Sequence, residues 1–185
     1  MGALSEASVR EDLFDPLAWS TETHERNMRL AIKAARVSVG LGGAPIGAVL
    51  VDDAGAAVAK GYSLVAPRRD PTAHAEMSAI RLAAGRRGRF HLSDLVLYST
   101  LEPCSMCLGA CAWASLGAVV FGADGNAAPA EYYDRVDYCA VCHAEGALRD
   151  GVRTPLPIRG RVLFGETATL LRRFGGASSS GVRSR

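Results

Sequence analysis

Four side chains stand out for what they can do chemically. His74 and Glu76 lie in Thr72-Ala73-His74-Ala75-Glu76, and Cys104 and Cys107 lie in Leu101-Glu102-Pro103-Cys104-Ser105-Met106-Cys107. One imidazole nitrogen and two thiolates make a donor set that suits zinc. A catalytic zinc takes three protein ligands and keeps its fourth position for water. C-x-x-C at the start of a helix lets both sulfurs face one metal, and the positive end of the helix dipole favours their thiolate charge. Glu76 stands two residues beyond His74. From the first turn of a helix it can approach the metal without ligating it, take a proton from the activated water and return it to a substrate. Two other readings use the same cysteines. One is a structural zinc ribbon with four cysteine ligands, adding Cys139 and Cys142, and the other is a thioredoxin-like redox pair. Neither gives His-Ala-Glu a role.

The elements that must hold these residues follow from patterning. A helix is expected from Ser20, with Ser20 or Thr21 as cap and Met28, Ala31, Ile32 and Ala35 as its apolar stripe. Glu22–Arg26 and Glu25–Arg29 are spaced for i,i+4 pairing, and Gly40, Gly42 and Gly43 end the helix. Ile46–Val51 and Ala56–Tyr62 read as strands joined by Asp52-Asp53-Ala54-Gly55. Pro67–Thr72 reads as a loop. His74–Ala84 reads as a helix with a stripe through Met77, Ile80 and Leu82. Leu95–Ser99 and Ala118–Gly122 are expected strands around a helix over Cys104–Ser115. Gly125–Arg153 carries no assignable pattern, Arg161–Phe164 reads as a last strand and Glu166–Phe174 as a last helix. This order implies an α/β fold, a mixed sheet covered by helices on both faces. The expected organisation is an arm at 1–19 with Phe14 and Trp19 packing on the body, a domain over 20–174, and a Gly/Ser/Arg tail at 175–185.

Composition narrows the class. The chain has 185 residues, 49% of them hydrophobic, and 21 basic residues against 19 acidic ones. That balance does not announce a nucleic-acid binder. No run approaches the ~18 apolar residues of a membrane span. The opening Met1–Pro16 has acids where an export signal needs a basic and then an apolar segment. The cytoplasm is the expected compartment, where five cysteines suit metal binding or catalysis better than a disulfide framework. Cys139-Ala-Val-Cys142-His143 is a candidate for a second metal. Cys111 is expected in core packing, His24 on the surface, and Trp113 in the core or a dimer interface. The arginine pairs at 68–69, 86–87 and 172–173 are expected on solvated faces.

H-x-E followed by P-C-x-x-C is the signature of zinc nucleobase deaminases. Through APIGAVLV, DPTAHAE, TLEPCSMCLGA and AVVFGAD, the chain resembles the cytidine deaminase superfamily. It looks closest to the branch of guanine deaminases, yeast-type cytosine deaminases and bacterial tRNA adenosine deaminases. The resemblance covers about residues 20–124. It implies a three-layer α/β/α fold with a five-stranded mixed sheet, one catalytic Zn2+ and a homodimer. The implied reaction is hydrolytic loss of ammonia from an aminated purine, pyrimidine or triazine, as base or nucleoside. The alternative is adenosine-to-inosine conversion in a tRNA anticodon, which the helix sequence THERNMRLAI also suits. The resembling enzymes usually carry a base-binding asparagine eleven residues before the histidine. Ser63 stands there, with a shorter reach and no two-pronged amide. The resemblance also implies substrate contacts from the Ala75 amide, the carbonyl near Glu102, and Tyr132, Tyr133 and Tyr138 in a closing C-terminal stretch.

Overall fold

The computed structural model describes residues 15–127 and 156–175. Phe14, Tyr132, Tyr133, Tyr138, Cys139, Cys142, His143 and the tail lie outside the described residues.

Helix α1 (Thr21–Gly40) is capped by Ser20, whose hydroxyl accepts from the Thr23 amide at 3.2 Å. Strands β1 (Gly47–Val51) and β2 (Ala57–Tyr62) form an antiparallel hairpin. A single helical turn, α2 (Val65–Arg68), stands where the sequence reads as a loop. Pro67 is tolerated there because the first turn of a helix needs no amide hydrogen from it. Helix α3 (Ala75–Arg87), strand β3 (Val96–Leu101), helix α4 (Ser105–Trp113) and strand β4 (Ala118–Ala123) follow. Strand β5 (Ile158–Arg159) and helix α5 (Phe164–Gly175) complete the described chain. The sheet order is β2-β1-β3-β4-β5, antiparallel from β2 to β3 and parallel from β3 to β5. The five-stranded mixed sheet is therefore present.

Strand alternation builds two cores. Ala48, Leu50, Leu97 and Val119 face α3 and α4, where Ala75, Ala79, Ala83 and Cys111 cover them. Val49, Val51, Val96, Tyr98 and Val120 face α1 and α5, against Met28, Ala31, Ile32, Ala35 and Leu170. The three layers follow from this division.

Four sequence expectations need correction. The last strand is Ile158–Arg159 and not Arg161–Phe164, because Arg161 and Leu163 adopt left-handed backbone (φ 66° and 53°) and turn the chain into α5. The buried stripe of α3 is Ala75, Ala79 and Ala83, while Leu82 is exposed. Small residues face inward because α3 lies on β2 itself. A Cβ on Gly61 would stand 1.8 Å from the Ala75 carbonyl oxygen. His24 is fully buried, with Nδ1 2.9 Å from the Tyr98 hydroxyl. Sequence periodicity hides this because His24 lies one turn before Met28 on the buried face, where a polar side chain requires a partner. Trp113 is 85% exposed on this chain, which excludes a place in its core.

Burial, and then the charge of Arg159, lower the His24 pKa below its ordinary 6.5. A depressed pKa makes the stabilising contribution complete above the unfolded value and lost as pH falls through the folded one. Denaturation midpoints measured from pH 7.5 to 5 are expected to decline, and His24→Leu should flatten that limb of the curve. Gly61→Ala is expected to destabilise the fold by about 1–3 kcal/mol through overpacking. Gly85→Ala, whose Cβ meets nothing within 4 Å, is the neutral-to-stabilising control in thermal unfolding.

Candidate metal centre

The site forms where two helices begin. His74 is the N-cap of α3 and Cys104 the N-cap of α4, both in extended backbone (ψ 155° and 167°). A turn sets His74 in place. The Asp70 carboxylate accepts from the Thr72 amide at 2.8 Å and the Thr72 hydroxyl at 2.7 Å, which also holds its pKa below the usual range. The His74 carbonyl then accepts from the Ser78 amide, and α3 is under way. On the other side, β3 runs through Leu101 into Glu102-Pro103, and Cys107 follows Cys104 within the first turn of α4.

This brings His74, Cys104 and Cys107 together. His74 Nδ1 lies 3.6 Å from each sulfur, and the two sulfurs are 3.5 Å apart. Zinc–sulfur bonds of about 2.3 Å and a zinc–nitrogen bond of about 2.0–2.1 Å, set tetrahedrally, need edges of about 3.6 Å (N–S) and 3.8 Å (S–S). The triangle fits that requirement, and among the described residues it is a group with metal-binding geometry. Cys107 is buried, while His74 and Cys104 are half-buried, so one side of the triangle faces outward.

The electrostatics suit a cation. Taken by themselves, the side chains hold Cys104 as a thiolate. The Cys107 thiol and His74 bring its pKa down to about 4, against the desolvation that opposes it. Cys107 is pushed up by that same contact, by burial and by Glu76. His74 is raised, chiefly by Cys104. A divalent ion would stabilise both sulfurs as thiolates, and both helix N-termini add to the favourable field for the anionic sulfurs.

Glu76 sits against the triangle and is only 3% exposed. Its Oε1 accepts from the Ser99 hydroxyl at 2.8 Å, and its Oε2 lies 3.5 Å from Cys107 Sγ. Burial raises its pKa, which brings a carboxyl closer to the range where it can both take and give a proton. Sequence reasoning misses Ser99 as part of the site. The signal for it is a serine following the apolar run Val96–Tyr98 in a buried strand, since a buried hydroxyl needs a partner.

The remaining sequence candidates occupy distinct places. Ala75 is buried between His74 and Glu76. Ser63 is 5% exposed, and its carbonyl accepts from the Ser38 hydroxyl at 2.8 Å. The Glu102 carboxylate accepts from the Gly125 amide at 2.8 Å, tying the ligand-bearing turn to the chain that leaves β4. Cys111 is fully buried in the α3-side core, where burial raises its thiol pKa.

Comparison with known proteins agrees with this chemistry. Residues 21–123 match the family described as the cytidine and deoxycytidylate deaminase zinc-binding region. A guanine deaminase of Bacillus subtilis is 45% identical over 118 residues, which span 62% of this chain and 74% of that protein. A tRNA-specific adenosine deaminase of Haemophilus influenzae is 44% identical over 103 residues, or 56% of this chain and 60% of that one. The solved guanine deaminase of Nitrosomonas europaea shares the fold, with a TM-score of 0.70 at 23% identity over 82% of this chain and 84% of that one. With a zinc-fitting His/Cys/Cys triangle inside the matched span, the chain belongs to the zinc-dependent deaminases of the cytidine and deoxycytidylate deaminase family.

Proposed function

We propose that this enzyme removes ammonia hydrolytically from an amino-bearing purine, pyrimidine or triazine, as free base or nucleoside. The observation that carries the reading is the buried Glu76 carboxylate set against the His74/Cys104/Cys107 triangle. Those three residues hold the metal in this reading. Zinc bound there would act as a Lewis acid, supplying a water nucleophilic at neutral pH. Glu76 takes one proton from the attacking water and delivers it to the ring nitrogen, then takes the second from the added hydroxyl and delivers it to the departing amine. Atoms balance: water supplies the oxo group and two hydrogens, and ammonia leaves. The Ala75 amide and the backbone carbonyl near Glu102 orient the heterocycle. Ser63 takes the place of a longer amide on the base edge. The similarity to the guanine deaminase of Bacillus subtilis, 45% identical over 118 residues, supports a small base as substrate.

A second reading is a tRNA-specific adenosine deaminase, supported by the Haemophilus influenzae relative. Arg26, Lys33 and Arg36 form an exposed basic stripe along α1, with Arg29 among them paired to Glu25 and Glu166, and Arg36 and Arg173 line the groove between α1 and α5 together with Glu166. Such a stripe suits phosphates, and binding through it would weaken steeply with salt.

In either reading the protein works as a homodimer in the cytoplasm. No charged residue lies in Ser105–Trp113, and Met106 and Trp113 expose apolar surface there. Reduced thiols at the metal site fit a reducing compartment. No helix among the described residues is long and apolar enough to cross a membrane.

Ammonia release at pH 7.5 from guanine, guanosine, adenine, adenosine, cytosine, cytidine, isoguanine, 5-azacytosine, ammeline and an anticodon stem-loop tests both readings. Turnover of a small heterocycle is expected, and turnover confined to the stem-loop would establish the second reading instead. Glu76→Gln should keep one zinc per chain and lose at least about 10²-fold in kcat. His74→Ala or Cys104→Ser should lose the metal as well, measured by elemental analysis. Trp113→Glu is expected to shift the particle to monomer mass in light scattering. An unchanged mass would remove α4 from the interface.

A further inference from the structure

Ser99 lies in the centre of the sheet. It pairs with Ala48 of β1 on one side and Phe121 of β4 on the other. All six residues of β3 are buried, and Ser99 itself is 0% exposed. A hydroxyl at that depth is costly unless it is bonded. Alternation along β3 places it on the same face as Leu97, under α3, while the Thr100 hydroxyl is used elsewhere, accepting from the Gly47 amide at 3.1 Å. An ionised carboxylate can only accept, so the 2.8 Å contact is Ser99 donating to Glu76 Oε1.

We infer that Ser99 is a positioning residue for the reaction: its hydroxyl pins one oxygen of Glu76 to the rigid central strand and so directs the other at the metal triangle. Glutamate has three rotatable side-chain bonds, and α3 fixes only its backbone. The Ser99 bond removes the remaining freedom at Oε1. Oε2 is then left beside Cys107 Sγ, 3.5 Å away, facing the place where a proton must be collected. Proton transfer is governed first by geometry, so a carboxylate free to swing would spend less time in reach. The inference rests on Glu76 as the proton carrier.

The test uses the zinc-loaded, full-length protein with Ser99→Ala, Ser99→Thr, Glu76→Gln and the Ser99→Ala/Glu76→Gln double variant. Ser99→Ala is expected to lower kcat by about 10–100-fold, the usual effect of losing an outer-shell partner. Zinc content and KM should stay near wild type. Ser99→Thr, which keeps the hydroxyl, should recover most of the rate. In the Glu76→Gln background Ser99→Ala should cost nothing further, because residues acting as a unit are non-additive. Crystal structures of wild type and Ser99→Ala give a readout independent of turnover, with Glu76 Oε1 displaced from its wild-type position in the variant. Wild-type kcat in Ser99→Ala, an equal loss in both backgrounds, or an unmoved carboxylate would overturn the inference. If the wild-type enzyme released no ammonia from any substrate, the functional reading would fall, while the carboxylate position would still decide the role of Ser99.

Discussion

The site depends on one close backbone contact. The first turn of α3 rests on β2 at Gly61, so near that a Cβ there would stand 1.8 Å from the Ala75 carbonyl oxygen and 2.7 Å from the Ala79 amide. Ala75 is the residue between His74 and Glu76. Seating its backbone on the hairpin therefore sets the height and angle at which both side chains project. The inward face of α3 is alanine at 75, 79 and 83 for the same reason. Larger side chains would lift the helix off the sheet and carry the imidazole away from the sulfurs. The other half of the triangle sits at the start of α4, which follows β3, and the antiparallel register of β3 with β1 ties it to the same hairpin.

Two helix N-termini then point at one small volume. Each contributes amides that have no acceptor within the helix and a positive dipole end, which suits thiolates and a carboxylate better than water alone would. Opposed effects keep the charges in balance. Desolvation raises Glu76, while His74 and Ser99 favour its anion. Cys104 is drawn into the thiolate form as Cys107 is held back from it. A divalent cation would resolve this arrangement, because it would satisfy both sulfurs at once.

The opposite face of the sheet has a different task. There α1 and α5 cover Val49, Val51, Val96 and Val120, with His24 against Tyr98 as a buried polar pair. Burial raises the Tyr98 phenol to about 12 and lowers the His24 imidazole, so both remain neutral at physiological pH. The chemistry-bearing face is built on small residues and close backbone approach, and the supporting face on larger side chains.

The donor set was legible in the residues themselves. Cys104 and Cys107 are three apart at a helix start, so local geometry puts both sulfurs on one surface, while His74 and Glu76, two apart, converge because His74 is the extended N-cap of α3. Strands β1, β3 and β4 were legible too, since they hold continuous apolar runs bounded by turn residues, and β2 was legible as the return from the Asp52–Gly55 turn. The pairing of Ser99 with Glu76, 23 residues apart in the chain, was not, because it follows from the register of β3 beneath α3. The same holds for His24 and Tyr98, which are 74 residues apart. Sequence spacing determines which side chains share a helix turn or a strand face. Only tertiary packing decides which turn meets which face, and so which buried polar group finds its partner.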